Sequence, residues 1–410
     1  MMKLSLGKFG LQHCDLPTMF SNVAALLRLI TINISHRYSK RIPLIFYVTT
    51  FIVISTYFYA YIFSMVWLVI FRYGKANIEA ASVALAFGTC NVTTVTKFVY
   101  MKLYAKEIEN FVDKYLQCDS HVTPNTRFAD NLRKKLKVVK RRATVIWVLL
   151  VSDGVIYLMI PFLLPGRQLT VDVYIFYGLE PMLETPNYEI ANVVMILGIG
   201  FAVYTMVSVA VYIIVIVGYN EAQLHALSEE LLHIWDDSQY FFNKIRNRIT
   251  DEHELHTQSQ VMNEFIRISL KNITKFHIAN INLIRELDYD MRPILAFEYS
   301  IKVISIIAGL LGGLENTFLQ LPYMIVQIFM DCLSGQRLID ACDHFEKSVY
   351  SCQWEKFNSS NQRTVRLMLM MSQKTLMLSA GGVAKLNFNF LMNILKSTYS
   401  IYTTLKSTVN

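Results

Sequence analysis

Residues 379–402 read Ser-Ala-Gly-Gly-Val-Ala-Lys-Leu-Asn-Phe-Asn-Phe-Leu-Met-Asn-Ile-Leu-Lys-Ser-Thr-Tyr-Ser-Ile-Tyr. Gly381 and Gly382 mark a turn, because a residue without a Cβ enters dihedrals that others avoid. A helix-length segment, about Leu386 to Leu405, follows and is polar along one side. Leu391, Leu395, Thr398, Tyr402 and Leu405 share a face by three- and four-residue steps. A helix that meets both water and neighbouring helices need not be apolar all round. An ordinary packing face would give the same stripe, so the reading depends on what precedes it.

What precedes it is a membrane protein. The 410 residues are 53% hydrophobic and 17% charged, with mean hydropathy +0.35, against about 25% charged in soluble proteins. Spanning the hydrocarbon takes roughly 20 apolar residues. Residues 42–71 carry no charge, and 190–220 lie uncharged between Glu189 and Glu221. Residues 80–96 lie between Glu79 and Lys97, and 143–165 are broken only by Asp153. Residues 293–314 carry Glu298 and Lys302 near their start, and 316–333 follow a short turn at Gly312-Gly313. With the final segment these make seven crossings.

Charge sets the orientation. Residues 1–41 hold six Lys/Arg and one acid, and 102–142 hold eleven against five. Residues 167–189 hold only Arg167 against four acids. Basic loops stay cytoplasmic, so the expected amino terminus is inside and the carboxyl terminus outside. The stretch Met1 to Asp15 has no apolar core of signal-peptide length, so the first span is expected to direct insertion. The sequons at Asn33, Asn91, Asn272 and Asn358 fall at positions expected to be cytoplasmic or buried, and no N-glycosylation is expected.

The expected division is a cytoplasmic segment (1–41), spans one to four (42–218), cytoplasmic helical extensions (219–292), spans five and six (293–342), a cytoplasmic anchor (343–380), and the last helix with its tail (381–410). The 219–292 stretch reads as amphipathic helix, with Leu224, Leu227, Leu231 and Ile234, then Val261, Phe265 and Ile268. Glu298 and Lys302, four apart, are expected to pair. Six scattered cysteines read as reduced and packed. No phosphate loop, metal-ligating pair or nucleophile elbow is present. The reading is therefore not an enzyme, with no cofactor and no metal. The net charge of +8 sits in loops, and nucleic acid is not an expected partner.

Several motifs then resemble one family. Gly335-Gln-Arg337-Leu338-Ile339-Asp340 is followed by Val349-Tyr350 and Trp354, then Arg366, Leu369 and Gln373-Lys374, then Leu378-Ser-Ala380-Gly381, and finally Tyr399-Ser-Ile-Tyr402. In that order they resemble the insect odorant receptors, by motif from about Gln320 onward and by topology over most of the chain. Gustatory receptors end in Thr-Tyr, five residues and Gln-Phe, whereas here Leu405-Lys406 follows Thr398-Tyr399. Residues 219–292 are too short for the long insertion of the odorant coreceptor.

The resemblance implies a tuning subunit of a heteromeric, odorant-gated cation channel, a heterotetramer with coreceptor subunits in the plasma membrane of a sensory neuron. It implies a pore lined by the last helix, with Leu391, Leu395, Thr398, Tyr402 and Leu405 on its wall and Tyr402 where the family narrows. A helix at about 362–379 would anchor it. A small hydrophobic odorant would bind among Ala84, Phe87, Asp153, Gly154, Tyr157, Leu158, Met195, Phe201, Tyr204, Phe318 and Tyr323. An acid inside a span is by default a functional candidate, but a water-filled crevice or a hydroxyl partner would also hold Asp153. The alternatives are a gustatory-type homomeric channel and a metabotropic receptor.

Overall fold

The computed structural model describes residues 13–35, 42–74, 76–163, 165–169, 171, 173–246, 254–374 and 376–409. Most of the reading of residues 1–15, and of the basic run at 36–41, lies outside them. Twelve helices are named below: α1 Leu16–Leu29, α2 Leu44–Tyr73, α3 Ile78–Leu103, α4 Ala105–Ser120, α5 Arg127–Leu163, α6 Asn187–Leu232, α7 Ile234–Arg246, α8 Glu254–Leu311, α9 Leu314–Thr317, α10 Gln320–Tyr350, α11 Ser359–Ser372 and α12 Phe388–Val409. A hairpin of two short strands, β1 Ser379–Ala380 and β2 Ala384–Lys385, precedes the last helix.

Among the described residues, five helices are long and apolar enough to cross a membrane: α2, α3, α5, α6 and α8. The other two expected spans fall on α10 and α12, which carry more polar residues. The outer surface fits this reading. Phe51, Ile70, Val145, Val155, Phe162 and Val193 are all exposed, which a lipid-facing helix tolerates and a water-facing one does not.

The long α6 is the axis of the fold. It is flanked by α5, α10, α8, α1, α2 and α3, and it is buried on all sides from Thr205 to Asn220 apart from Ala210, as its nearly uniform apolar sequence requires. The segment read as a basic loop, 102–142, is instead helical. It forms α4 and the first half of α5, with Ile108, Phe111, Val112 and Tyr115 buried and the cations mostly outward. The short α1 was not foreseen either. Asp15 caps it by accepting from the Thr18 amide at 3.0 Å, and its apolar face packs against α6 and α4.

The described residues of the 219–292 stretch are helical as expected, in the end of α6, α7 and the first part of α8, and 247–253 lie outside the described residues. The helix expected at 362–379 ends earlier, at Ser372. Its successor is the hairpin, whose turn is at Gly381 and Gly382, with φ of 64° and 76°.

Candidate functional site

Four helices border a half-open cavity of about 60 Å³. Phe87, Cys90, Asn91 and Thr94 line it from α3, and Asp153, Gly154 and Tyr157 from α5. Ile199, Ala202 and Val203 come from α6, and Leu319, Gln320 and Tyr323 from the start of α10. The wall is mainly apolar and aromatic, with a few polar groups directed inward, the usual make-up of a small-molecule site. Two larger hollows lie elsewhere. One, of about 680 Å³, is lined by Glu107, Lys114, Glu286, Asp290 and Arg292 among tyrosines. The other, of about 310 Å³, lies between α1, α5 and α6.

An aromatic cluster stands beside the four-helix cavity. Tyr174 and Phe176, from the connection between α5 and α6, are fully buried. The Tyr174 hydroxyl donates to the Ala60 carbonyl at 3.0 Å, and its ring lies 4.9 Å from Phe87. Tyr57 donates to the Asn91 side chain at 2.7 Å. That bond places the sequon Asn91 inside the bundle.

Of the eleven residues expected at a ligand, Phe87, Asp153, Gly154, Tyr157 and Tyr323 come together on this cavity. The others lie apart from it. Ala84 is buried in the packing of α3, and Leu158 is half-buried. Met195 is buried, and its carbonyl accepts from Tyr61. Phe201 packs between Tyr57 and Phe98, 5.5 Å from each. Tyr204 donates to the Leu26 carbonyl of α1 at 2.8 Å. Phe318 is 58% exposed. Sequence reasoning did not reach Tyr174 and Phe176; two aromatics in an acidic connection were the available signal. It also missed Thr94 and Gln320, small or polar residues with no pattern of their own.

Next to the cavity lies a buried ionic group. Lys97 is three residues beyond Thr94 on α3, and its Nζ is 2.8 Å from Glu298 Oε1. Lys302 Nζ is 2.5 Å from the same oxygen and 3.8 Å from Asp331 Oδ2 on α10. The Tyr299 hydroxyl donates to Asp331 at 3.3 Å. The expected Glu298–Lys302 pair is therefore half of a neutral quartet, two cations and two anions on three helices. Tyr299 also meets Phe390 of α12 edge to face, with centroids 5.1 Å apart. A set of contacts thus runs from Lys97, three residues beyond the cavity residue Thr94, to the last helix.

The motif residues around that helix have structural reasons. Ser379 donates from both its amide and its hydroxyl to Asp288 Oδ1, at 2.7 Å each, and Asp288 Oδ2 pairs with Arg292 at 2.5 Å. The Gly381 amide donates to the Arg292 carbonyl at 3.1 Å. The hairpin is therefore fastened to α8. Gly335 lies against the Leu386 backbone so closely that a Cβ would sit 2.2 Å from its carbonyl oxygen.

On α12, Leu391 and Thr398 are buried and Leu395 is half-buried, where the helix packs on α8 and α10. The first part of the expected pore stripe is thus turned toward its own bundle. Tyr402 is half-buried and Leu405 exposed. The opposite face carries Asn389, Asn393, Lys396, Ser400 and Thr404, all exposed. The open surface thus holds one polar stripe, flanked by exposed Met392, Tyr399 and Ile401, and the packed side is apolar apart from Thr398.

The family model described as 7tm Odorant receptor matches residues 77–399. No curated protein matches the chain in sequence. Among solved structures, the insect olfactory receptor OR5 from Machilis hrabei in complex with eugenol is similar, with TM-score 0.73, 13% identity and coverage of 96% of this chain and 99% of that one. A second structure of the same receptor gives TM-score 0.73 at 12% identity, over 95% of this chain and 98% of that one. At such identity the likeness is one of fold.

Proposed function

The chain belongs to the 7tm odorant receptor family, and we propose that it is a tuning subunit of a heteromeric cation channel opened by a small volatile. The observation that carries the proposal is the last helix. Opposite its packed side runs a polar stripe, Asn389, Asn393, Lys396, Ser400 and Thr404, bordered by exposed Met392, Tyr399 and Ile401. A helix that borders lipid has no use for such a face, whereas one that borders a water-filled axis does.

The chain is oriented with its amino terminus in the cytoplasm, so that the clustered cations of α5 face inward. Ligand binds in the cavity between α3, α5, α6 and α10. At about 60 Å³ the cavity is roughly the share of two liquid waters. A volatile of six or more heavy atoms therefore enters only as side chains give way. The work of widening the cavity is recovered only where the ligand prefers the widened state. Movement of α10 and the end of α8 reaches α12 through the quartet and the Tyr299–Phe390 contact. Leu391, Leu395 and Thr398 hold α12 to the bundle. Tyr402 and Leu405, past the packed part, form the narrowing, and the polar face forms the wall below it. Leu367 and Met370 on α11, and Val383 at 89% exposure on the hairpin tip, offer apolar surface to neighbouring subunits.

The test is electrical recording from cells that carry the chain alone, or with an odorant coreceptor, under a panel of volatiles. Fast inward cation current only on co-expression is expected. Equal current from the chain alone would replace the proposal with a homomeric channel. Ligand response that needs a G protein would replace it with a metabotropic receptor.

A further inference from the structure

The polar groups around the cavity specify its ligand further, and the inference rests on the cavity assignment just made. Asp153 lies on the inward side of α5, one turn before Tyr157 and on the same side as Leu150 and Gly154. Its carboxyl lines the cavity, and no Lys, Arg or His lines it with it. Among the described residues it has no hydrogen bond or ion pair. The buried cations nearby are engaged elsewhere, Lys97 with Glu298 and Lys302 with Glu298 and Asp331. Among the described residues the hydroxyl partner that the sequence allowed for Asp153 is absent, and its half-exposure matches the water-accessible crevice that the sequence also allowed.

Asp153 is half-buried, and a carboxylate partly withdrawn from water beside an apolar, aromatic wall is disfavoured unless a proton or a counter-charge neutralises it. Among the described residues no cation of the chain is paired with it. A ligand that brings a cation would remove the cost on binding, and one that does not would leave it. The rings point the same way. Phe87 and Tyr157 stack at 6.2 Å with 18° between planes beside Asp153, and aromatic faces attract ammonium groups. Independently, Gln320 is 8% exposed and lines the cavity, and its amide nitrogen has no hydrogen-bond partner. A buried donor without an acceptor is itself costly. It calls for an acceptor atom on the ligand.

We propose that the cavity takes a small protonated amine, its ammonium paired with Asp153 and an acceptor oxygen, where the ligand has one, held by the Gln320 amide. Tyr323 also lines the cavity, and its hydroxyl has no hydrogen-bond partner. The ligand class is then a short alkylamine or alkoxyamine rather than a neutral alcohol or ester.

Binding to the purified protein tests this without relying on channel activity. The probes are methoxypropylamine, pentylamine and pentanol, each of six heavy atoms, with affinity read from the shift in thermal unfolding. The expected result at neutral pH is pentylamine at least tenfold tighter than pentanol, with methoxypropylamine a few-fold tighter still. Asp153→Asn should remove the amine preference while pentanol still binds, which shows that the variant is folded. Gln320→Met should remove only the methoxy advantage. Pentanol binding as tightly as pentylamine in the unaltered chain would overturn the proposal, as would an amine preference that survives in Asp153→Asn. In either case a volatile response on co-expression would leave the channel reading standing.

Discussion

Glu298 is the residue on which most depends, because it neutralises two lysines at once inside a membrane-spanning bundle. Glu298→Gln leaves Lys97 and Lys302 facing one remaining acid, and breaking a buried pair in this way costs about 3–5 kcal/mol. Loss of surface expression is the expected outcome, and a triple replacement of Lys97, Glu298 and Lys302 by apolar residues should recover part of it. Unchanged expression of Glu298→Gln would show that the quartet is open to water. At the cavity, Tyr157→Ala and Tyr323→Ala are expected to raise the half-effective odorant concentration at least tenfold each. If potency is the same in both, the ligand sits elsewhere. Sequence alone showed half of the quartet, because Glu298 and Lys302 are helical neighbours. Lys97 and Asp331 are distant in the chain, and only the packing of α3, α8 and α10 brings them together.

Between single residues and the whole lie the elements that carry motion and hold position. The hairpin before α12 is fixed by the Ser379–Asp288 bonds, so Ser379→Ala should lower stability by about 1–3 kcal/mol, measured as a lower unfolding temperature. Gly335→Ala should do more, since the Cβ meets backbone and α10 or the hairpin must shift. The helical extensions respond to acid. His277 on α8 is buried against Phe345, with ring centroids 4.3 Å apart, and burial pushes its pKa from 6.5 down to about 4. Above pH 6.5 it is neutral whether folded or unfolded and has no effect. As pH falls from 6.5 toward 4 only the unfolded chain takes up the proton, so stability declines across that window and levels off below it. His277→Gln should flatten this part of the profile, and an identical slope in the variant would assign the acid sensitivity to other groups.

The elements also show what a sequence can and cannot reveal. Spans with near-continuous apolar composition, α2 and α6 above all, are evident from hydropathy. The first half of α5 and all of α4 are not, because eleven cations in 102–142 look like a loop until the apolar residues at helical spacing beneath them are seen packed. The stripe on α12 was legible as a face, but not which way the face turns. Periodicity identifies the side that differs from the rest; neighbours decide whether that side is packed or open. Five of the eleven candidate ligand residues meet at one cavity because they lie on inward sides at similar depth. Phe318 and Tyr204 have the same chemistry but are directed elsewhere by local geometry.

At the scale of the whole molecule, a fold shared with an insect olfactory receptor at 13% identity is maintained by pattern rather than by particular residues: long apolar helices, the polar helical extensions that continue them and a last helix with one polar stripe. Orientation is a property of the whole chain and has its own check. With the amino terminus inside, the exposed sequon at Asn358 stays unmodified, and glycan on Asn358 in a cell-surface sample would invert the topology.

The account stands or falls on α12 as the wall of a water-filled pore. The most direct measurement introduces single cysteines along it, in channels formed with a coreceptor, and follows odorant-evoked current during exposure to a charged thiol reagent. Block is expected at Ser400→Cys and Thr404→Cys on the polar face, faster while odorant is present, with no effect at Leu391→Cys or Thr398→Cys, which are packed against the bundle. Current that no cysteine on the polar face can alter, or that Leu391→Cys and Thr398→Cys alone can block, would contradict it.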